Sequence, residues 1–471
     1  MSVVQASVPK AIPKRDLIED VIDHVTGADF TALDARTVQM VKTLIIDTMG
    51  CAVAGSAGAR IPELAGLVRG WGGKAEASVL VHGDRVPAFH AALVNGAMAR
   101  AWDFDDVHEG GGGHLSASII PTAFVLAQGA PGKVSGKTFL LAVALATDLV
   151  ARLRMAQTKR SGWIAETFAP FGVVAAASRI LGFTREMTLA AMGLAYAQCG
   201  SNTQGTIDGA LSVRLQQGLA AKSGVLAVEF AKIGFTGPVN ILQGQYGLYP
   251  LYIRNDYDPT VITRDLGRHF ELINTSLKPY PSCKLTHIPI AVAAKIVSEN
   301  RIAPDDIKRM LVLTNDDAYA KCASSPNKRR PRNVPDAQFS LPVTLALAVT
   351  RGGVTLSDLT PDTWNDPRIQ ALADTVEVRV DPEFDRMPVL ISPAIVEIET
   401  RSGKTFRERA DFVSGSPEQP MTREQVETKF SGCVAAAVRP MNKDKVALFL
   451  KLASDLESVD DVRPMLELLV A

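Results

Sequence analysis

A mainly α-helical protein with an inserted α+β domain is the architecture this sequence predicts, and three observations carry it. The first 270 residues hold long Ala- and Leu-rich segments, too long to be strands. Near residue 270 that character breaks at two closely spaced prolines, and between Thr375 and Asp411 polar and apolar residues alternate. From Thr422 the helical pattern returns. The expected organisation is a large helical domain built from residues 1–270 and 412–471, with a smaller α+β lid domain at 271–411. A chain of 471 residues has ample length for two such units and a large buried core.

In chain order, helices are expected around Val38–Ala54, Ala88–Trp102, Thr138–Met155, Phe171–Leu181, Met187–Gln198 and Gly218–Ile233. Their alanine and glycine content lets neighbouring helices approach closely, which suits helices buried among helices. One hairpin interrupts them, ASVLVHGDRVPA, with its turn at His82–Asp84. After the change of character, KPYPSCKLTHIPIAVAAKIVSEN opens extended and becomes a helix, RMLVLTND reads as a strand, and Ser324–Asp336 reads as a basic, proline-containing loop. TVEVRVDPEF and AIVEIETRSGKTFRERAD supply the alternating strands, the second pair joined at Ser-Gly-Lys. Thr422 and Gln425 have capping-box spacing and start the returning helices.

Composition narrows the function classes. Lys+Arg and Asp+Glu are both 50, so the chain carries no net charge with which to hold nucleic acid or an anionic membrane. Apolar residues at 47% and charged residues at 21% exclude wholesale disorder. Five cysteines lie far apart without a CxxC pair, which points to a reducing compartment and to neither a disulfide framework nor structural zinc. The N-terminal stretch lacks the continuous apolar run of a signal peptide, and Phe139–Val150 is too short to span a bilayer and carries Asp148. A soluble cytoplasmic protein is expected.

Two segments carry candidate chemistry. In WDFDDVHEGGGGH, from Trp102 to His114, four acids and two histidines sit at the end of an apolar helix. Continued as a helix, Asp103 and Asp106 share a face, joined by Val107. Two carboxylates about 6 Å apart at an effective dielectric of about 20 repel by about 3 kcal/mol, enough to lift one toward the range a general base needs. The run Gly110–Gly113 lets the chain swing His114 back over the acids. The bland alternative is an acidic helix end followed by a loop. A magnesium site of the diphosphate-chemistry kind would need a second acidic motif, for which Asn315-Asp316-Asp317 is the candidate. The second segment, KPYPSCKLTH, places Lys278 and Lys284 beside a helix N-terminus, with Thr286 at the cap and Pro289 in the first turn. That is a receptor for a carboxylate; the alternative is solvated loop lysines. No GxGxxG, Walker, GxSxG or HExxH pattern is present.

Together these segments resemble the MmgE/PrpD family, which includes 2-methylcitrate dehydratases, cis-aconitate decarboxylases and iminodisuccinate epimerases. The matching residues are NGAMARAWDFDDVHEGGGGHLSASIIPTAFVLAQ and KPYPSCKLTHIPI, supported by LIIDTMGCAVAGS, FGVVAAASRILGF, GLAAKSGVLAVEFAKIGFTGP and DAQFSLPVTLALA. The resemblance implies a helical domain plus a lid, a homodimer, no metal or organic cofactor, and a small carboxylate as substrate. It makes His114 the proton-transfer residue, Asp103 its orienting or basic partner, Lys278 the carboxylate or enolate anchor, and His108 a supporting residue.

Several positions depart from the family pattern. Val107 replaces a threonine, Leu115 a proline and Cys283 a histidine. GWIAETFAP lacks the usual histidine, Ser212-Val213 replaces a Thr-Lys pair and leaves Arg214 as the nearest cation, and Val343 stands near a decarboxylase tyrosine. Each lost polar group removes about 0.5–1.5 kcal/mol of net hydrogen bonding, so the pocket is expected to be more apolar and its substrate to carry fewer carboxylates than 2-methylcitrate. The leading reading is a cofactor-independent carbon–oxygen lyase of the dehydratase type. An isomerase or epimerase follows, then a decarboxylase. A ligand-binding member without catalysis is the alternative of a different class.

Overall fold

The computed structural model describes residues 15–159, 161–386 and 393–471. The expectation about the N-terminal stretch falls largely on residues 1–14, outside the described residues. The protein is mainly α-helical with small sheets.

Its buried apolar residues gather into two large clusters. The first draws on Ile18 to Leu277 and again on Val426 to Leu469; the second runs from Cys283 to Val413. In the first, helices Ala35–Gly55, Ala88–Arg100, Ser116–Gln128, Gly136–Met155, Ala169–Leu181 and Ser212–Lys232 pack on one another, joined by Arg423–Ala435 from the far end of the chain. Helix Ala35–Gly55 has the length and hydropathy to cross a membrane, which the sequence reading did not single out. However, 78% of its apolar window is buried within the protein, as expected of a core helix. Ala77–Ser78 and Arg85–Val86 form the hairpin, its turn wider than expected and reaching from Val79 to Asp84.

Around the second cluster, a four-stranded sheet has the spatial order Val376–Val380, Ile307–Thr314, Ala394–Thr400, Thr405–Ala410. The first pairing is parallel and the other two antiparallel. Ala394–Thr400 buries every second residue, and helix His287–Asn300 covers that face together with Leu341–Arg351. Thr422 and Gln425 form the capping box that their spacing predicts.

Candidate active site

The acidic segment is positioned by a close helix crossing. A Cβ on Gly218 would lie 2.1 Å from the Leu93 carbonyl oxygen, so helices Ala88–Arg100 and Ser212–Lys232 meet nearly backbone to backbone. This brings Arg100 at the end of one and Arg214 at the start of the other to the same carboxylate. The first helix stops at Arg100, and Asp103 takes a left-handed backbone conformation, φ 53°, which aspartate tolerates better than most residues. Asp103 and Asp106 therefore do not share a helical face, contrary to the expectation. Val107 opens a short strand instead.

The turn that results is held by its own backbone oxygens. The Trp102 carbonyl accepts from the Gln338 side-chain amide, the Asp103 carbonyl from Lys278 Nζ at 2.8 Å, and the Phe104 carbonyl from Lys429 Nζ at 2.7 Å. Three consecutive carbonyls are thus caught by side chains from distant parts of the chain, Gln338 and Lys278 buried and Lys429 with its side chain 6% exposed.

Asp103 is surrounded by cations. Arg100 pairs with it directly, Lys278 Nζ lies 2.9 Å and Arg214 Nη1 3.3 Å from its Oδ1. Burial alone would raise this carboxyl, but Arg100, Lys278, Arg214 and His114 outweigh it and hold Asp103 well below the usual range. An acid held so firmly ionised makes a poor proton acceptor. Asp105 is likewise held at about 2 against burial, chiefly by His114 and Arg100. Asp106 goes the other way, pushed to about 8 by burial and by the neighbouring Asp105 and Asp47. Burial lowers Lys278 despite Asp103, and lowers Arg214 to about 10.

A two-residue ladder brings the second motif to the first. Val107 pairs with Ser276 and His108 with Thr275, which leaves Lys278 two residues further on, against the acidic turn. His108 is fully buried; its Nδ1 accepts from the Gly111 N–H at 2.9 Å, and its Nε2 meets the Glu271 carbonyl at 2.9 Å. Burial pulls this imidazole down to about 4, so it is a neutral clamp on the glycine loop. A Cβ on Gly113 would sit 2.2 Å from Ala165 Cβ. The loop so fixed delivers His114 with Nδ1 3.0 Å from Asp105 Oδ2 and Nε2 4.0 Å from Asp103 Oδ1. The 3.0 Å contact lies off the line of a straight hydrogen bond, so attraction between the two groups is mainly coulombic.

His114, Lys278 and Asp103 share one cavity of about 200 Å³. That is below the roughly 300–1,000 Å³ of drug-sized sites and suits a small acid. Among the described lining residues, the cations Arg100, Lys278, Lys284 and Lys321 are matched one for one by Asp103, Glu109, Glu166 and Asp317. Lys284 pairs with Glu109. Val107 and Cys283 line the wall as the sequence reading expected, with Val213, Ile164 and Phe339. Cys283 is drawn below its ordinary value by a hydrogen bond from Cys322. Arg214 does not line the cavity; it braces Asp103 from behind and donates to Gln338 Oε1 at 2.5 Å. Val343 is buried in its helix, away from the cavity.

The sequence matches a known protein family along most of its length. The MmgE/PrpD N-terminal domain matches residues 19–260 and the MmgE/PrpD C-terminal domain residues 280–454. The chain belongs to the MmgE/PrpD family. Similar proteins include the cis-aconitate decarboxylase of Homo sapiens, 25% identical over 97% of this chain and 95% of the relative. The cis-aconitate decarboxylase of Aspergillus terreus is 25% identical over 93% and 92%. A cis-aconitate decarboxylase-like protein of Aspergillus oryzae is 22% identical over 98% and 99%.

In this MmgE/PrpD chain Asp103, Asp105 and His114 offer ligand atoms within 4.8 Å of one another, a spacing a metal ion could use. Those carboxylates already face Arg100, Lys278 and Arg214, so a divalent cation would enter against three fixed positive charges. The donor set does not suit a metal. Asn315 caps helix Asp316–Cys322, and Asp317, the one residue of that motif to reach the cavity, meets Lys321 at 2.9 Å. Sequence reasoning missed Arg100, Asp105 and Glu166. Arg100 and Asp105 flank the residues it chose, and the signal was present in their adjacency to Asp103.

Proposed function

We propose that this enzyme is a lyase that removes a proton beside a carboxylate of a small carboxylic acid and then expels a hydroxyl group, without a cofactor. What carries the reading is the convergence of His114 and Lys278, 164 positions apart, on one small cavity. His114 is the proton carrier, since it is 15% exposed where the acids beside it are sealed. Asp105 and Asp103 orient its ring and steady the imidazolium that forms. Lys278 has three N–H donors; two meet the Asp103 carbonyl and carboxylate, and the third serves the substrate carboxylate, where enolate charge builds. The two apolar clusters are read as a helical domain and an inserted lid, with the cavity at their junction. The chain is further read as a homodimer, in line with the exposed Phe230, Ile233 and Phe235 at the end of one helix.

Decarboxylation is the second reading, favoured by the similar proteins, whose names give that reaction. Incubation with a panel of di- and tricarboxylates in deuterated water tests the first. Exchange at the carbon next to a carboxylate is expected, abolished in His114→Ala. Unchanged exchange in that variant overturns it. Carbon dioxide release without loss of water selects the second reading.

A further inference from the structure

Among the described lining residues, Glu166 is the carboxylate with neither a role in the proposed chemistry nor a cation paired with it. It lies in the short helical turn Ala165–Thr167, is 3% exposed, and lines the cavity with Arg100, His114 and Lys278. No hydrogen bond or ion pair joins its side chain to any described residue, although its charge acts on Arg100. The other acids of the wall have cations against them: Asp103 meets Arg100 and Lys278, Glu109 meets Lys284, and Asp317 meets Lys321. A buried carboxylate facing open space without a partner is costly unless something entering that space donates to it. Ala165, the residue before Glu166, packs closely against Gly113, the residue before His114.

We propose that Glu166 is a specificity-determining residue that accepts a hydrogen bond from the substrate's hydroxyl group and repels an additional carboxylate. The substrate class is then a hydroxy acid with at most two carboxylates. This rests on the cavity being the substrate site proposed above, but not on the identity of the proton carrier. The matched charges of the wall agree with it: the described lining carries no surplus of lysine and arginine over acids to offset each added carboxylate.

The test is calorimetric titration of the whole chain with malate, succinate and tricarballylate, which differ in the hydroxyl and in the number of carboxylates. Wild-type protein is expected to bind malate at least fivefold more tightly than succinate, and tricarballylate at least tenfold more weakly than malate. Glu166→Gln keeps shape and an acceptor oxygen while losing charge, so it should narrow the tricarballylate gap below threefold. Glu166→Leu should erase the advantage of malate over succinate, with circular dichroism confirming the fold. Tricarballylate binding as tightly as malate in wild type, an undiminished tricarballylate gap in Glu166→Gln, or no binding of any of the three overturns the proposal. Selective binding without deuterium exchange would defeat the proton-transfer reading and leave this one standing. Exchange without selectivity would do the reverse.

Discussion

The acidic turn separates two buried ion clusters that differ less in composition than in surroundings. On one side Asp103 and Asp105 lie with Arg100 and Lys278 beneath a small cavity, with His114 between them and the opening. On the other, Asp47 meets Lys429 at 2.6 Å, and the ammonium sits 4.0 Å from the centre of the Phe104 ring. Burial raises the Asp47 carboxyl, whereas Asp47 and its neighbours raise Lys429 against the effect of burial. Both clusters pair charges out of water, yet only the first has a partly exposed imidazole beside a cavity small enough for an organic acid. Buried charge by itself therefore does not mark a reaction centre. The proposed chemistry relies instead on a titratable group left accessible above such charge.

The comparison breaks first at His114. His114→Ala should cut turnover by about 10²–10⁴-fold, the usual contribution of a positioned acid–base group, while the melting temperature stays near wild type. If activity survives, the two clusters are alike and the first is structural. Lys429→Met should do the opposite. Stripping one partner from a buried pair costs about 3–5 kcal/mol, read as a lower urea midpoint, and a combined Asp47→Leu, Lys429→Met variant should regain most of it. Gly113→Ala tests the loop that delivers His114. The added methyl meets Ala165 Cβ and should cost about 1–3 kcal/mol of stability, with activity reduced more than in Lys429→Met at matched folded fraction.

The smallest effect lies in pH dependence. Asp106, at about 8, keeps its proton in the folded state where an unfolded aspartate near 3.9 has lost it. The native state then binds more protons, so stability falls as pH rises from about 4 to about 8 and levels off above. His108 acts in reverse: at about 4 in the fold and about 6.5 unfolded, it weakens the protein as pH drops between those values. The two oppose each other below pH 6.5 and not above it. Between pH 6.5 and 8, unfolding titrations should show wild type losing about 1–2 kcal/mol, a slope absent in Asp106→Asn.

Local pattern made much of this legible in the sequence. The helices declare themselves by runs of alanine and leucine, and Ala394–Thr400 by strict alternation. The return of His114 to the acids followed from four glycines in a row. The error at Asp103 has an equally local cause: helical spacing was extended past Arg100, where the chain instead turns through a left-handed residue to reach its partners. What local pattern could not supply are the contacts that cross the chain. Gln338 reaches Trp102 over 236 positions and Lys429 reaches Phe104 over 325, and neither leaves a mark in its own neighbourhood. Arg214 reads as a substrate contact from proximity to a family motif, and only the crossing of its helix with Ala88–Arg100 turns it behind Asp103. Glu166 was visible only as a missing histidine.

The three carbonyl clamps also set an order of assembly. Every described residue that lines the cavity has been synthesised once position 339 has been added. Yet the backbone beneath them is not fully braced until Lys429 has emerged and docked, some ninety positions later. A nascent polypeptide can thus collapse its amino-terminal helices early, while the third clamp arrives only with nearly the last helix synthesised.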